Sequence, residues 1–158
     1  MTVDTGVSTL QVVNTGSTAI EAYTLAAVGT PSSDLDRRHG TQLFAVETVT
    51  GASDVCVGVA TQRIEAGGSG TVVYSGLTTV ATDGTITAGA LLKSTAAGLA
   101  DVATDGTDAA VIFGRAATAD YEDIADAEDF VVDGGTAEGK VVCKALVDFG
   151  VVSNIEDE

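Results

Sequence analysis

Residues 55–76, VCVGVATQRIEAGGSGTVVYSG, contain two runs of β-forming residues around a glycine-rich segment. Val, Ile, Thr and Tyr recur in these runs, and such side chains fit the pleated surface of a sheet. Glycine adopts the positive φ angles that tight turns require. The stretch therefore predicts two strands joined by a turn, a hairpin-like unit from which the rest of the chain can be interpreted.

Similar β-forming runs follow along the chain, with Gly or Asp-Gly between most of them. The predicted strands are Val55–Ile64, Thr71–Ser75, Leu77–Ala81, Ile86–Lys93, Ala109–Thr118 and Lys140–Phe149. No amphipathic helix of three turns interrupts them. The 158 residues are 45% hydrophobic but only 4% aromatic, so we expect one core built from Val, Ala, Leu and Ile. The predicted fold class is all-β.

The hairpin-like unit recurs with an insertion. VIFGRAATAD, residues 111–120, matches its first strand, and GKVVCKALVDFG, residues 139–150, continues as its second. The spacing of the matched glycines grows from 12 to 25 positions, measured from Gly58 to Gly70 and from Gly114 to Gly139. The 13 additional residues fall on an acidic stretch.

That acidic stretch is DYEDIADAED, residues 120–129, with six carboxylates and no base. A length difference between two copies belongs in the loop that joins the strands, and such loops lie at the surface. We therefore predict an exposed acidic loop near residues 120–136. A solvated surface is the favoured interpretation and a cation site the alternative, because the Gly at loop position 6 of an EF-hand is missing.

VATDGT occurs twice, at residues 80–85 and 102–107. Asp-Gly between β-forming residues favours a type I′ turn, in which both central residues have positive φ. The repeat predicts two tight hairpin turns. A calcium loop is the alternative, but the acid ladder and the later bidentate Glu of an EF-hand are absent.

The formal net charge is −16, from 7 Lys and Arg against 23 Asp and Glu. A nucleic-acid partner is excluded on this balance, because a phosphate backbone would be repelled. Abundant Asp with few Lys is typical of a surface that stays hydrated in concentrated salt, where charge repulsion is screened within about 3 Å at 1 M. The composition indicates a halophilic origin.

Catalytic and metal-binding patterns are missing from the sequence. The single histidine, His39, lies in a turn-like context, and Cys56 and Cys143 have no metal-ligand spacing. AGGSGT, residues 66–71, lacks the Lys of a phosphate-binding loop. We expect no enzymatic activity, cofactor or bound metal, and we expect both cysteines to be small buried residues. Alternation places Val141, Cys143, Ala145 and Val147 on one strand face.

The first 54 residues differ from the rest. Residues 1–28 alternate enough to pair as strands, whereas GTPSSDLDRRHGTQ holds the only Pro and His and two of the four Arg. The cationic spot of Arg37, Arg38 and His39 either pairs with nearby aspartates or docks on an acidic partner. The N-terminus lacks a basic signal-peptide region, and no apolar run approaches the roughly 18 residues of a membrane span, so we expect no membrane association.

The stretch from DVCVGVATQRI to VIFGRAATAD shows the progression V-G-V-A, G-x-V-x-x-x-G, I-x-A-G-x-x-L and G-x-A. In this progression, residues 54–150 resemble the small head-decoration, or capsid-cementing, proteins of tailed viruses. Together with the halophilic composition, it indicates a tailed virus of haloarchaea.

The resemblance implies a compact β-barrel-like or β-tulip/sandwich subunit, often a homotrimer, on the outer capsid surface at three-fold or quasi-three-fold positions. There it would bind and stabilise the major capsid protein. It further implies an arm with peripheral strands in residues 1–50, a decoration domain in residues 51–150 and an acidic tail in residues 151–158. The implied capsid-binding residues are Thr2, Val3, Asp4, Thr5, Val7, Arg37, Arg38 and His39, with the arm adding to a sheet edge.

Two other functions remain open. One is a capsid- or tail-displayed module that attaches to a component of the host cell surface, which predicts affinity for cells and not for bare capsids. The other is a small secreted hydrolase, which predicts loss of activity on changing Cys56 or His39.

Overall fold

The computed structural model describes residues 6–30, 43–51, 54–104, 112–123 and 140–149. Within these ranges the chain forms ten strands and no helix, which confirms the all-β prediction. The strands are β1 (Ser8–Asn14), β2 (Leu25–Val28), β3 (Phe44–Thr48), β4 (Cys56–Ala60), β5 (Ser69–Ala81), β6 (Leu91–Ser94), β7 (Ala100–Val102), β8 (Ile112–Ala116), β9 (Tyr121–Asp123) and β10 (Lys140–Asp148).

Five strands close into a barrel. Their order is β1, β3, β2, β4 and β5, and β5 pairs again with β1. The β1–β3 pair is parallel and the other four pairs are antiparallel. Closure leaves no open edge around this ring, so the barrel protects backbone groups that an open sheet would expose.

Strand β5 belongs to two sheets. Its first half pairs with β1 as far as the Ser8–Ser75 pair, and its second half pairs with β10 from Ser75 to Ala81. A second sheet continues from there in the order β5, β10, β8, β6 and β7, with β9 beside the start of β10. The barrel and the second sheet are therefore joined through one continuous backbone.

Two hydrophobic cores follow from this arrangement. Adjacent residues of β2 point into different cores: Ala26 faces the barrel interior, whereas Leu25 and Ala27 face the second sheet. Burial of both faces explains why these strands are apolar almost throughout. The barrel core consists of Val12, Ile20, Ala26, Val46, Val57, Ala60, Ile64 and Val72. The core between barrel and second sheet includes Leu25, Val59, Val73, Val80, Ile86, Leu92, Phe113, Cys143, Ala145 and Val147.

The internal repeat is confirmed as a structural repeat. Strand β4 pairs antiparallel with β5, and β8 pairs antiparallel with β10. In each copy the matched glycine lets a partner strand approach closely. A Cβ at Gly58 would lie 2.7 Å from the carbonyl oxygen of Val73, and one at Gly114 would overlap the carbonyl oxygen of Leu146. The inserted residues lie between β8 and β10, begin with β9, and from 124 to 139 fall outside the described residues.

The hairpin turn predicted at residues 80–85 is wrong. Strand β6 begins only at Leu91 and pairs with β7 and β8 instead of β5. Both edges at the end of β5 are already occupied, because Ala81 N donates to Tyr23 O and Thr82 N donates to Val141 O, each at 2.8–2.9 Å. Asp83 also lacks the positive φ of a type I′ turn. Residues 105–107 of the second VATDGT lie outside the described residues, so the turn expected there stays a prediction.

Strands β1, β2 and β3, all before residue 50, form part of the barrel wall. Val12 and Val13 of β1 and Val46 of β3 are fully buried. Strand β1 pairs with β5 across about 60 residues of sequence, a contact that the local sequence pattern could not reveal. Any arm that reaches another protein from this end therefore has to precede Gly6.

Candidate interaction surface

Most of the residues predicted to bind the capsid lie outside the described part of the chain: Thr2, Val3, Asp4, Thr5, Arg37, Arg38 and His39. Val7 is described. It is half-buried and packs against the core between barrel and second sheet. Gly6 and Val7 lie directly against Gly76, where the two sheets meet. The first described residues of the chain therefore lie at the junction of the two sheets.

A pair of exposed leucines stands out on the second sheet. Leu77 of β5 and Leu146 of β10 are directly opposite in register and are 49% and 56% exposed. Among the described strands, no other register pair has two large hydrophobic side chains that are both exposed. Fully burying one leucine contributes about 1.5–3 kcal/mol, so covering the exposed half of both would contribute about 2 kcal/mol in total.

These leucines belong to a row that crosses four strands. Leu146 is opposite Arg115 of β8, and Arg115 is opposite Leu91 of β6. Residues in direct register share one face of a sheet. The row Leu77, Leu146, Arg115 and Leu91 therefore runs across the side of the second sheet that faces away from the barrel.

Two cations lie next to Leu146, Arg115 on the neighbouring strand and Lys144 on the same strand. Arg115 Nη1 donates to the carbonyl oxygen of Gly89 at 2.7 Å, and Lys144 Nζ donates to Thr79 Oγ1 at 2.7 Å. Lys144 lies two positions before Leu146 on the same face of β10. We call the set Leu77, Leu91, Arg115, Lys144 and Leu146 the outer face.

The electrostatics of the outer face differ from those of the barrel surface. On the barrel, Arg63 is held by two carboxylates, Glu21 and Glu65, each at 2.7 Å. Arg115 and Lys144 have neutral hydrogen-bond partners, and neither has a carboxylate within 4 Å among the residues that the structure describes. The face also carries a carboxylate, because the exposed Asp148 lies two positions after Leu146 on the same side of β10.

Sequence reasoning missed the outer face although one signal was present. In KVVCKALVDFG the alternation that buries Cys143 and Ala145 places Lys144 and Leu146 on the opposite side. A leucine on the otherwise polar face of a strand is the feature of the sequence that indicates an exposed apolar surface. Its pairing with Leu77 depends on the register between two distant segments, which the sequence does not state. Val141, predicted to be buried with Cys143, is 42% exposed.

The two thiols fit a structural role. Cys143 is fully buried, and desolvation raises the pKa of its thiol to about 11, with a smaller contribution from the charge of Asp120. Desolvation also raises the pKa of the half-buried Cys56. A thiol is nucleophilic only as the thiolate, so both shifts oppose reactivity near neutral pH.

The described residues contain no group of three or more His, Cys, Asp or Glu that could hold a metal ion. Asp120, at the start of the acidic stretch, accepts a hydrogen bond from the backbone N–H of Ile86 at 2.7 Å. This contact fixes the connection after β8. Within the described ranges there is also no helix of a length and hydropathy that could span a membrane.

Comparisons with known proteins identify a similar fold but no family. No family model matches the chain, and no curated protein does. A solved structure, the crystal structure of the head fiber gp8.5 N base in bacteriophage phi29, is similar with a TM-score of 0.52. The sequences are 14% identical, and the likeness covers 90% of this chain and 95% of that one. The chain therefore shares its all-β architecture, a closed barrel joined to further strands, with a phage head protein.

Proposed function

We propose that the protein is a structural component of a tailed-virus head, which decorates the outer capsid surface and stabilises contacts between major capsid subunits. The observation that carries this proposal is the likeness of fold to the head fiber N base over nearly the full length of both chains. The resemblance of residues 54–150 to head-decoration proteins lies in the sequence and supports the same class of role.

The physical demands of cementing match the molecule. A protein stabilises a shell if it binds neighbouring capsid subunits only when they are assembled. Its binding free energy then lowers the free energy of the assembled shell relative to that of the separate subunits. No reactive group is needed. A closed barrel gives a subunit that resists opening, and the outer face has exposed apolar and charged groups that another protein could contact.

The finer parts of the proposal follow the resemblance. The protein would assemble as a homotrimer at three-fold or quasi-three-fold positions, with the segment before Gly6 reaching the capsid lattice. Its acidic composition would suit a virus of a halophilic host, whose particles are stable in molar salt.

The proposal is tested on intact virus. Particles purified by density gradient in molar NaCl should contain the protein at a fixed ratio to the major capsid protein, measured by quantitative mass spectrometry. Gold-labelled antibody should bind the heads of unopened particles. Absence of the protein from purified particles would contradict a virion role, and labelling confined to tails would favour the module that attaches to the host cell.

A further inference from the structure

We infer that the second sheet is itself a closed five-stranded barrel and that the chain is a tandem duplication of one barrel module. The first module consists of β1, β2, β3, β4 and the first half of β5. The second module consists of the second half of β5 with β6, β7, β8 and β10. Strand β5 is therefore the last strand of one module and the first strand of the next. The inference goes beyond the proposed function and does not depend on it.

The strand pairings of the two modules agree one by one. In the first module β1 pairs with β3, β3 with β2, β2 with β4, β4 with β5 and β5 with β1. In the second module the corresponding pairs are β5 with β7, β7 with β6, β6 with β8, β8 with β10 and β10 with β5. The first pair of each module is parallel and the other four are antiparallel. The two modules therefore have the same topology.

The register of the strand pairs agrees as well. Strand β2 shifts register against β4 between Ala26 and Ala27, and β6 shifts against β8 between Leu92 and Lys93. One alignment of the two modules reproduces these shifts and the register of the other antiparallel pairs outside the bulge at Ser8. It makes the following residues counterparts: Thr15 and Asp83, Tyr23 and Gly89, Leu25 and Leu91, Val46 and Ala100, Val59 and Arg115, Ala60 and Ala116, and Val73 and Leu146. Because each strand pair sets its own register, this agreement indicates that both modules derive from one unit.

Closure of the second barrel depends on the contact between β5 and β7. Thr82 and Ala100 form a parallel bridge, and Asp83 N donates to Ala100 O at 2.8 Å. At the corresponding place between β1 and β3, Thr15 N donates to Val46 O at 2.9 Å. The second sheet is thus joined to its own first strand at the position where the first module closes.

The duplication also accounts for an unusual backbone angle. Tyr23 has a φ of 68°, in the left-handed region that bulky residues rarely adopt. Its counterpart Gly89 has a φ of 89°. The two amides donate, each at 2.8 Å, to the carbonyl oxygens of the counterparts Ala60 and Ala116. A left-handed turn two residues before β2 and before β6 is therefore a feature of the module, and Tyr23 occupies a position that suits glycine.

The interiors of the two modules correspond. Six pairs of counterparts are buried, one member in the barrel core and the other in the core that includes the second sheet: Val12 and Val80, Ile20 and Ile86, Ala26 and Leu92, Val46 and Ala100, Val57 and Phe113, and Ala60 and Ala116. Large residues face small ones differently in the two copies, but the same positions point inward. The core described between the barrel and the second sheet is therefore largely the interior of the second barrel.

The contact between the modules explains the exposed leucine of β10. Leu25, Val59 and Val73 lie on the outside of the first barrel and are buried against the second module. Their counterparts in the second module belong to the outer face. The contact is of the head-to-tail kind, which uses different surfaces on its two sides. The second copy of this face is consequently left uncovered in the single chain, and Leu146 is 56% exposed there.

Scalar couplings across hydrogen bonds, measured by NMR on the unaltered protein labelled with ¹⁵N and ¹³C, test the inference. Such a coupling joins an amide nitrogen to the carbonyl carbon whose oxygen accepts its hydrogen bond, so each bond is identified by both partners. We expect both members of three pairs of bonds: Thr15 to Val46 and Asp83 to Ala100, Tyr23 to Ala60 and Gly89 to Ala116, and Ala60 to Thr24 and Ala116 to Ala90. The first-module bonds serve as matched controls.

The coupling from Asp83 to Ala100 decides whether the second barrel is closed. If the first-module couplings are observed and this one is absent, the second sheet is open and the inference is overturned. Coupling of Asp83 or Gly89 to a different carbonyl would overturn the alignment of the modules. The measurement needs no virus, so failure of the protein to bind heads would overturn the proposed function and leave the duplication in place.

Discussion

Replacing Gly58 by alanine should destabilise the barrel. A Cβ at this position would lie 2.7 Å from Val73 O and 3.0 Å from Val72 Cγ2. An ordinary contact starts near 3.4 Å, so the first of these would be about 0.7 Å too short. Val73 cannot retreat freely, because its strand is held by β4 on one edge and by β1 on the other. Overpacking of this kind costs about 1–3 kcal/mol.

Equilibrium urea unfolding followed by circular dichroism, with calorimetry in the same buffer, measures this effect. For a chain of this length about 1 kcal/mol corresponds to about 2–4 °C in Tm, so Gly58→Ala should lower Tm by about 2–12 °C. Gly51→Ala is the matched control, because the nearest atom to its Cβ is a side-chain oxygen, Asp54 Oδ1, at 3.3 Å. We expect the control to change the free energy of unfolding by less than about 0.5 kcal/mol.

The structural repeat extends this prediction to the second copy. Gly114 allows the same close approach, here to Leu146, so Gly114→Ala should also destabilise the protein. A Gly58→Ala protein as stable as the unaltered chain would refute the described packing of β4 against β5. Destabilisation by Gly58→Ala alone would refute the equivalence of the two copies.

Four further predictions concern the buried polar groups and the net charge. Asn14→Ala should cost about 1–3 kcal/mol in urea unfolding, because the fully buried Asn14 amide donates to two carbonyl oxygens and accepts from Gly16 N; no loss would contradict its role. In the native protein Cys143 should react with a thiol reagent more slowly than Cys56, and equal rates in single-cysteine variants would contradict its burial. Burial raises the pKa of the Cys143 thiol to about 11, so as pH rises the thiol loses its proton in the unfolded chain before it does so in the folded protein. The free energy of unfolding should therefore fall as pH rises from about 8.5 to about 11. The fall should be less steep in Cys143→Ala. Finally, the net charge of −16 predicts a Tm that rises between 0.1 and 2 M NaCl in calorimetry, and a constant Tm would contradict the halophilic interpretation.

The sequence allowed the fold class and the repeat to be predicted because both depend on local signals. Runs of β-forming residues separated by glycine can be recognised in a single sequence. The repeat of residues 55–76 correctly predicted that β4 pairs with β5 and that β8 pairs with β10. The length difference between the copies placed the acidic insertion between strands β8 and β10.

What could not be predicted depends on contacts between distant segments. The barrel closes through β1, which pairs with β3 and with β5, and nothing near residues 8–14 indicates either partner. The Asp-Gly segment at residues 80–85 has the composition of a hairpin turn. No hairpin forms there, because the backbone groups at the end of β5 are hydrogen-bonded to Tyr23 and Val141. The outer face depends in the same way on the register that sets Leu77 opposite Leu146.

The central claim, that this protein decorates a virus head, is tested most directly by co-sedimentation. Purified protein would be titrated onto mature heads stripped of it, in molar NaCl, and the bound copies per head counted by quantitative mass spectrometry. The account predicts saturable binding at a fixed copy number that matches the three-fold or quasi-three-fold positions of the shell. No binding by a protein shown to be folded, or binding that never saturates, would contradict it.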